Sequence, residues 1–295
     1  MYLIVNYLFI LFQIGCKGTN FSVINHLSTP INYFIIGVFW LKYSKNTMPK
    51  TLLSCGHDNF QGIFVFLHDY QLIRIMTKII NLNDQPSIAN QYLAELRDKD
   101  YQQNRLLFRN NIIRIGECMA FEISKTFDYK PQTVTTPLGT LDTPLPADDI
   151  LIATILRAGL PFHQGFLHVF DHASNAFVSA YRMYTNREHT QVGVHTEYMA
   201  SPSVEGKTLI IADPMLATGG SMAAAYEALL KTGTPKHVHI ASVIATQEGI
   251  DVVCNAIGTR DATIWCAAID PGMNEHKYIV PGFGDAGDLC YGEKL

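Results

Sequence analysis

The chain has 295 residues, 48% hydrophobic and 16% charged, with a formal net charge of −4. Such a chain can bury a sizeable core; its composition excludes disorder, a collagen-like repeat and a strongly cationic nucleic-acid binder. Six cysteines (16, 55, 118, 254, 266 and 290) never form a C-x-x-C, so no zinc knuckle or disulfide framework is legible and reduced cytoplasmic thiols are expected.

Charge is unevenly spread. Residues 1–75 hold five basic and two acidic residues and 14 aromatics, giving +3 there and −7 on the remainder. Their apolar runs (1–14, 31–41 and 62–67) all fall short of the roughly 18–20 residues that span a bilayer, and no basic n-region precedes the first. This stretch is expected to be an extension outside the working protein, with Met48 and Met76 as alternative starts. A targeting or membrane-associating segment and a structured addition are the competing readings. Residues 76–295 are expected to form the working domain.

From Ser87 the apolar spacing becomes helical. Residues 87–97 place Ile88, Tyr92 and Leu96 on one face, and 104–127 continue with Leu107, Ile112, Ile115, Met119 and Ile123. Pro131 and Pro137 break the pattern. Residues 150–156 read as a strand covered on both faces, 162–170 as a helix and 176–184 as a strand. The polar, alternating stretch 187–201 reads as a hairpin or flap. A strand at 208–212, a helix at 221–231 with Met222, Ala225, Tyr226 and Leu229 inward, a strand at 238–245, a helix at 249–257 and a strand at 263–269 follow. The last 25 residues show no period and are expected to form an ordered loop. Alternation of this kind predicts an α/β fold, a parallel twisted sheet flanked by helices, with ligands at the carboxyl ends of the strands.

At one such end stands Asp213-Pro214-Met215-Leu216-Ala217-Thr218-Gly219-Gly220-Ser221. A strand, a turn with paired glycines and hydroxyls, then a helix N-terminus is a ready anion site, because unpaired N–H groups and the positive helix end face a phosphate. Asp213 is placed to bind hydroxyls of the sugar that carries it. The bland alternative is an ordinary turn capped by Thr218 or Ser221.

Residues 213–221 resemble the phosphoribosyl-pyrophosphate (PRPP) motif of type I phosphoribosyltransferases, in the form D-P-M-L-A-T-G-G-S found in the uracil enzymes. Ile155-Leu156-Arg157-Ala158-Gly159-Leu160 resembles their pyrophosphate loop, and residues 278–288 resemble their uracil-binding tail. The resemblance runs from about Met76 to Leu295. It implies a type I phosphoribosyltransferase-like sheet with N-terminal helices and a C-terminal base-binding loop.

The resemblance implies PRPP contacts at Arg157, Arg182, residues 213–221 and Asp285, with Arg187 a weaker candidate. It implies that backbone groups of Ile279, Gly284, Asp285 and Ala286 read uracil, while Tyr278 and Phe283 wall the ring, or Phe283 simply packs in the core. The implied reaction is uracil plus PRPP giving UMP and pyrophosphate, with Asp213 and Arg157 in the catalytic set. Mg²⁺ would be carried by PRPP rather than by a protein cage, and 187–201 would form the lid. The resemblance also implies a homo-oligomer, a dimer first, and GTP as an effector in some members. No nucleic acid is expected as a partner, nor a membrane unless 1–75 belong to the working protein.

Other patterns are weaker. The G-x-G-x-x-G at 282–287 lacks the βαβ context of a dinucleotide site, and Gly206-Lys207-Thr208 lacks the first P-loop glycine, since Ser201 stands there. His237, His239, His163, His168 and His172 read as surface or packed histidines. A PRPP-sensing regulator without turnover, and a transferase for another base, are the competing functions.

Overall fold

The computed structural model describes residues 53–57, 60–64, 77–184 and 192–294. The chain divides into two units, Met1–Ile73 and Arg74–Leu295. In the first, β1 (Leu53–His57) and β2 (Phe60–Phe64) form an antiparallel hairpin.

The second unit begins with β3 (Lys78–Asn81) and α1 (Ile88–Arg97). A capping box starts α1: the Ser87 hydroxyl accepts from the Ala89 N–H and the Asn90 side chain accepts from the Ser87 N–H. Its inner face is Ala89, Leu93 and Leu96, not the expected Ile88–Tyr92–Leu96, and Ile88 is 59% exposed. Both rows have helical spacing, so the pattern alone cannot choose between them. Tyr92 instead lies partly buried under the guanidinium of Arg114.

The long helix α2 (Arg105–Ser124) is capped by Asn104 and buries Phe108, Ile112, Ile115, Met119 and Ile123 completely. Phe108 therefore takes the core position expected of Leu107. Each such side chain contributes about 1.5–3 kcal/mol by leaving water. Beyond it, where the prolines suggested only a break, β4 (Tyr129–Thr136) and β5 (Gly139–Pro146) form a hairpin with mostly exposed side chains. Prolines are tolerated there because the hairpin has no further partner strand among the described residues.

Then follow β6 (Ile150–Ile155), α3 (Gly159–Leu167), β7 (Ser174–Tyr184), β8 (Val192–Ala200), β9 (Thr208–Ala212), the short β10 (Met215–Leu216) and α4 (Gly220–Leu229). The chain continues through β11 (His237–Thr246), α5 (Gln247–Ile257) and β12 (Ala262–Asp270). It closes with β13 (Gly272–Met273), β14 (Ile279–Val280) and α6 (Ala286–Tyr291). Helix α3 starts three residues before the expected 162, since Gly159 and Pro161 suit a first turn. The tail is not a loop throughout: β13 pairs with β14, and Asp285 caps α6.

The main sheet runs β3-β12-β11-β9-β6-β7-β8, with β10 attached to β11. Every pairing is parallel except β7 with β8; the stretch expected to be a hairpin or flap supplies β8, which pairs antiparallel with β7, and residues 185–191 lie outside the described residues. Helices cover both faces, which is why β9 is buried at all five positions. One core layer joins α1, α2 and α3 to the sheet and the other joins α4 and α5 to it. All four inward residues expected on α4 are buried.

Helices α2 and α3 approach backbone to backbone. A Cβ on Gly165 would stand 2.2 Å from the Ile113 carbonyl oxygen and 2.9 Å from the Gly116 Cα. Gly165→Ala should therefore destabilise the protein by about 2–3 kcal/mol, lowering Tm by roughly 4–10 °C. An unchanged melting curve would show that the two helices do not need this approach.

Candidate functional site

In the main sheet, β6 and β9 lie side by side with Thr154 opposite Ala212. The chain leaves both strands at the same edge, so Arg157 and Asp213 begin neighbouring turns. This is the carboxyl edge, where an α/β sheet binds ligands. The Leu156–Arg157 and Val280–Pro281 peptides are cis.

The 213–219 turn is held by its neighbours. The Asp213 N–H donates to the Ala241 carbonyl at 3.1 Å, and the Pro214 carbonyl accepts from Val243 and Ile244 at 3.1 and 3.0 Å. Residues Met215 and Leu216 pair with β11, and the Thr246 hydroxyl donates to the Ala217 carbonyl at 2.6 Å. Gly219 has φ +77°, and a Cβ there would meet the Gly249 carbonyl oxygen at 2.6 Å, so both conformation and space require glycine. Helix α4 starts at Gly220, with Gly219, which carries no side chain, at its N-cap position. The N–H groups of a helix N-terminus at the carboxyl edge of a sheet suit an anion.

Asp213 is half-buried, yet the protein around its carboxyl pushes it up to about 7, with the Met215 N–H pulling the other way. The carboxyl thus changes charge near neutrality.

Arg157 is tied to the tail. Its Nη2 donates to Asp288 Oδ1 at 2.7 Å and its Nη1 to the Gly292 carbonyl at 3.1 Å. It therefore bridges the first turn and α6. Asp285 accepts from the Asp288 N–H at 3.0 Å, and Lys294 stands 4.0 Å from its other oxygen. Ile279 and Ala286 are buried beside this cluster, while Tyr278 is 43% exposed. Phe283 is a core residue: its ring meets Phe108 edge-on at 5.6 Å. Arg182 lies on β7 opposite Val194, and Arg187 lies outside the described residues.

Two residues here escaped the sequence reading. Arg97 ends α1, and Asp270 ends β12. Nη2 and Nη1 of Arg97 donate to the two oxygens of Asp270 at 2.7 and 2.9 Å, and both residues also bond Gly282. A charge directly after a buried strand, at the edge where ligands bind, was the available signal. Asp288 was quoted in the tail but given no role.

The decoys resolve as packing. Burial drives His239 down to about 3, and its Nδ1 accepts from the Trp265 indole at 3.1 Å. His163 is buried against Asn175, and His168 pairs with Glu117. Burial pushes the thiols of Cys266 and Cys290 up to about 12, so neither offers a thiolate. The G-x-G-x-x-G at 282–287 runs into a six-residue helix that begins at Ala286 and follows the two-residue β14, not the long βαβ unit of a dinucleotide site. Among the described residues no helix is long and apolar enough to cross a membrane.

A mostly parallel sheet flanked by helices, with a glycine turn leading into a helix after β9, an arginine turn after β6 and a folded tail bonded to that arginine, has the architecture of a type I phosphoribosyltransferase. The family model described as uracil phosphoribosyltransferase matches residues 83–293. A uracil phosphoribosyltransferase of Porphyromonas gingivalis is 55% identical over 218 residues, covering 74% of this chain and 100% of that one. That of Pyrobaculum arsenaticum is 40% identical over 207 residues, covering 69% and 94%. The structure of the AQ2163 protein from Aquifex aeolicus superposes with a TM-score of 0.65 at 27% identity, covering 74% of this chain and 99% of that one. The chain belongs to the uracil phosphoribosyltransferase family.

The raised Asp213 carboxyl has a consequence for stability. Between about 3.8 and 7 the native state binds more protons than the unfolded chain, so stability falls as pH rises through that window and the penalty is complete above it. Asp213→Asn should therefore be more stable than the parent by about 1–3 kcal/mol at pH 8, with the gap shrinking at pH 4. Urea melts at the two pH values measure it. A pH-independent difference would contradict the assignment.

Proposed function

We propose that this chain transfers the phosphoribosyl group of PRPP to N1 of uracil, giving UMP and pyrophosphate. The observation that carries the reading is the position of Arg157. It begins the turn beside the Asp213 turn and is also bonded to the tail at Asp288 and Gly292, which supports reading three separated segments as one site.

In this reading the N–H groups of Thr218–Ser221 hold the 5′-phosphate, and the ionised Asp213 carboxylate accepts from a ribose hydroxyl. Arg157 turns its remaining N–H groups to the departing pyrophosphate, a task suited to a planar guanidinium, and Arg182 is a second PRPP contact. Backbone groups of Ile279, Gly284, Asp285 and Ala286 read the O4, N3–H, O2 edge of uracil. Cytosine presents an acceptor at N3 and a donor at N4, and would leave buried partners mismatched. Uracil N1 attacks C1 of the ribose as the C1–O bond to pyrophosphate breaks, and the N1 proton leaves to solvent. No nucleophilic side chain is required; alignment and charge neutralisation carry the rate.

Asp285 offers a hard oxygen donor beside Arg157, which fits a Mg²⁺ ion that arrives on PRPP and keeps most of its phosphate and water ligands. When bound, the ion neutralises pyrophosphate charge. The same reading carries a homo-oligomer and GTP activation as family traits, testable by light scattering and by rates with added GTP. Residues 1–75 lie outside the catalytic unit.

The test is the full-length chain with PRPP and Mg²⁺ and each of uracil, cytosine, hypoxanthine and orotate. UMP from uracil alone is the expected result. Product from another base would overturn the base assignment, and tight PRPP binding without product would favour a sensor. The kcat/KM for PRPP should fall about tenfold per unit below pH 7 as Asp213 protonates, an acid limb absent in Asp213→Asn. A chain of residues 76–295 should match the full-length rate within about twofold, and its inactivity would make the extension part of the enzyme.

A further inference from the structure

We infer that Arg97 and Asp270 are positioning residues for the base, setting the affinity and selectivity for uracil through the backbone of Gly282. The inference rests on the function proposed above. Neither residue lies within the segments given a binding role there.

The pair grips one peptide from both sides. The Gly282 N–H donates to Asp270 Oδ2 at 3.0 Å, and Arg97 Nη1 donates to the Gly282 carbonyl at 3.1 Å. Between them run the two charged bonds of 2.7 and 2.9 Å. Asp270 is only 7% exposed, so its charge is shielded from water and depends on these donors. Gly282 has φ +52°, and a Cβ there would stand 2.1 Å from the Ile279 carbonyl oxygen, so the turn packs Gly282 against Ile279 itself. The grip thus acts between Ile279 on one side and Gly284–Ala286 on the other.

The anchors belong to different parts of the fold. Arg97 ends a helix of one face, and Asp270 ends a strand of the sheet. Without them, the tail between β14 and α6 would be held by Phe283 against Phe108 and by the Asp285 cap. Those contacts fix its depth, but they touch neither the N–H nor the carbonyl of Gly282. Backbone recognition of a flat base needs donors and acceptors held within a fraction of an ångström, so a loosened peptide weakens base binding before it affects PRPP.

The experiment uses full-length Arg97→Lys and Asp270→Glu. Lysine keeps the charge but cannot span both Asp270 oxygens and the Gly282 carbonyl. Glutamate keeps the ion pair but displaces the acceptor from the Gly282 N–H. Each should raise KM for uracil about tenfold, leave KM for PRPP within about twofold, and reduce the preference for uracil over cytosine. Hydrogen exchange across residues 279–286 should quicken, with the rest of the chain unchanged. Equal rises in both KM values, or no change in either, would overturn the proposal. So would failure of both variants to fold, which would make the pair a general element of the fold. If the unsubstituted protein makes no UMP, the proposed function fails, and the exchange measurement alone decides whether the pair holds the tail.

Discussion

The site depends on the in-register parallel pairing of β6 with β9. With Ile150 opposite Thr208 and Thr154 opposite Ala212, the two strands end within one or two residues of each other. Their turns must then share one edge of the sheet. The arginine turn and the Asp213 turn are brought together by this register, and a slip of one residue would send β9 side chains to the opposite faces. Burial holds the register, since β9 is covered at every position and β6 at all but its first.

The two ends of the sheet carry different electrostatics. At the amino end, Lys236 pairs with Asp128 and Asp148 at 2.7 and 2.8 Å, Asp148 also accepts from the Thr208 hydroxyl, and Lys207 pairs with Asp149. These ion pairs answer one another and join loops. At the carboxyl end Asp270 pairs with Arg97 and Asp288 with Arg157, whereas burial pushes the Asp213 carboxyl up and the Met215 N–H pulls the other way. A perturbed carboxyl at the end of a buried strand is a feature of a binding edge.

The tail shows a second device. Arg157 joins it to the β6 turn through Asp288 and Gly292, and Arg109 donates to the Cys290 carbonyl at 2.6 Å. Arginines thus meet carbonyls at and just beyond the end of α6, a favourable place for positive charge. A six-residue helix has little stability of its own, so these contacts and the Asp285 cap hold it. The order of the tail was expected, but its strand pair and helix could not be read from its own residues, because they are held by residues far away in the chain.

The main strands and helices of residues 87–127 and 150–270 were legible because each carries its period within a short window. The turn at 213–221 was legible as a strand-to-helix turn because strand, glycines and helix follow one another directly. Where two apolar rows satisfy the same period, as with Ile88–Tyr92–Leu96 and Ala89–Leu93–Leu96, the sequence cannot say which faces the sheet, and packing chose the second. The hairpin at 129–146 was hidden because its strands are mostly exposed and broken by proline. Local pattern therefore determined the order of the main-sheet elements, the strand-to-helix turn at 213–221 and the family resemblance, because each is written in neighbouring residues. Only the tertiary structure decided that Arg157 meets Asp288 and that Arg97 and Asp270 close on Gly282. The arginine contacts join positions more than a hundred residues apart, and no local period records them.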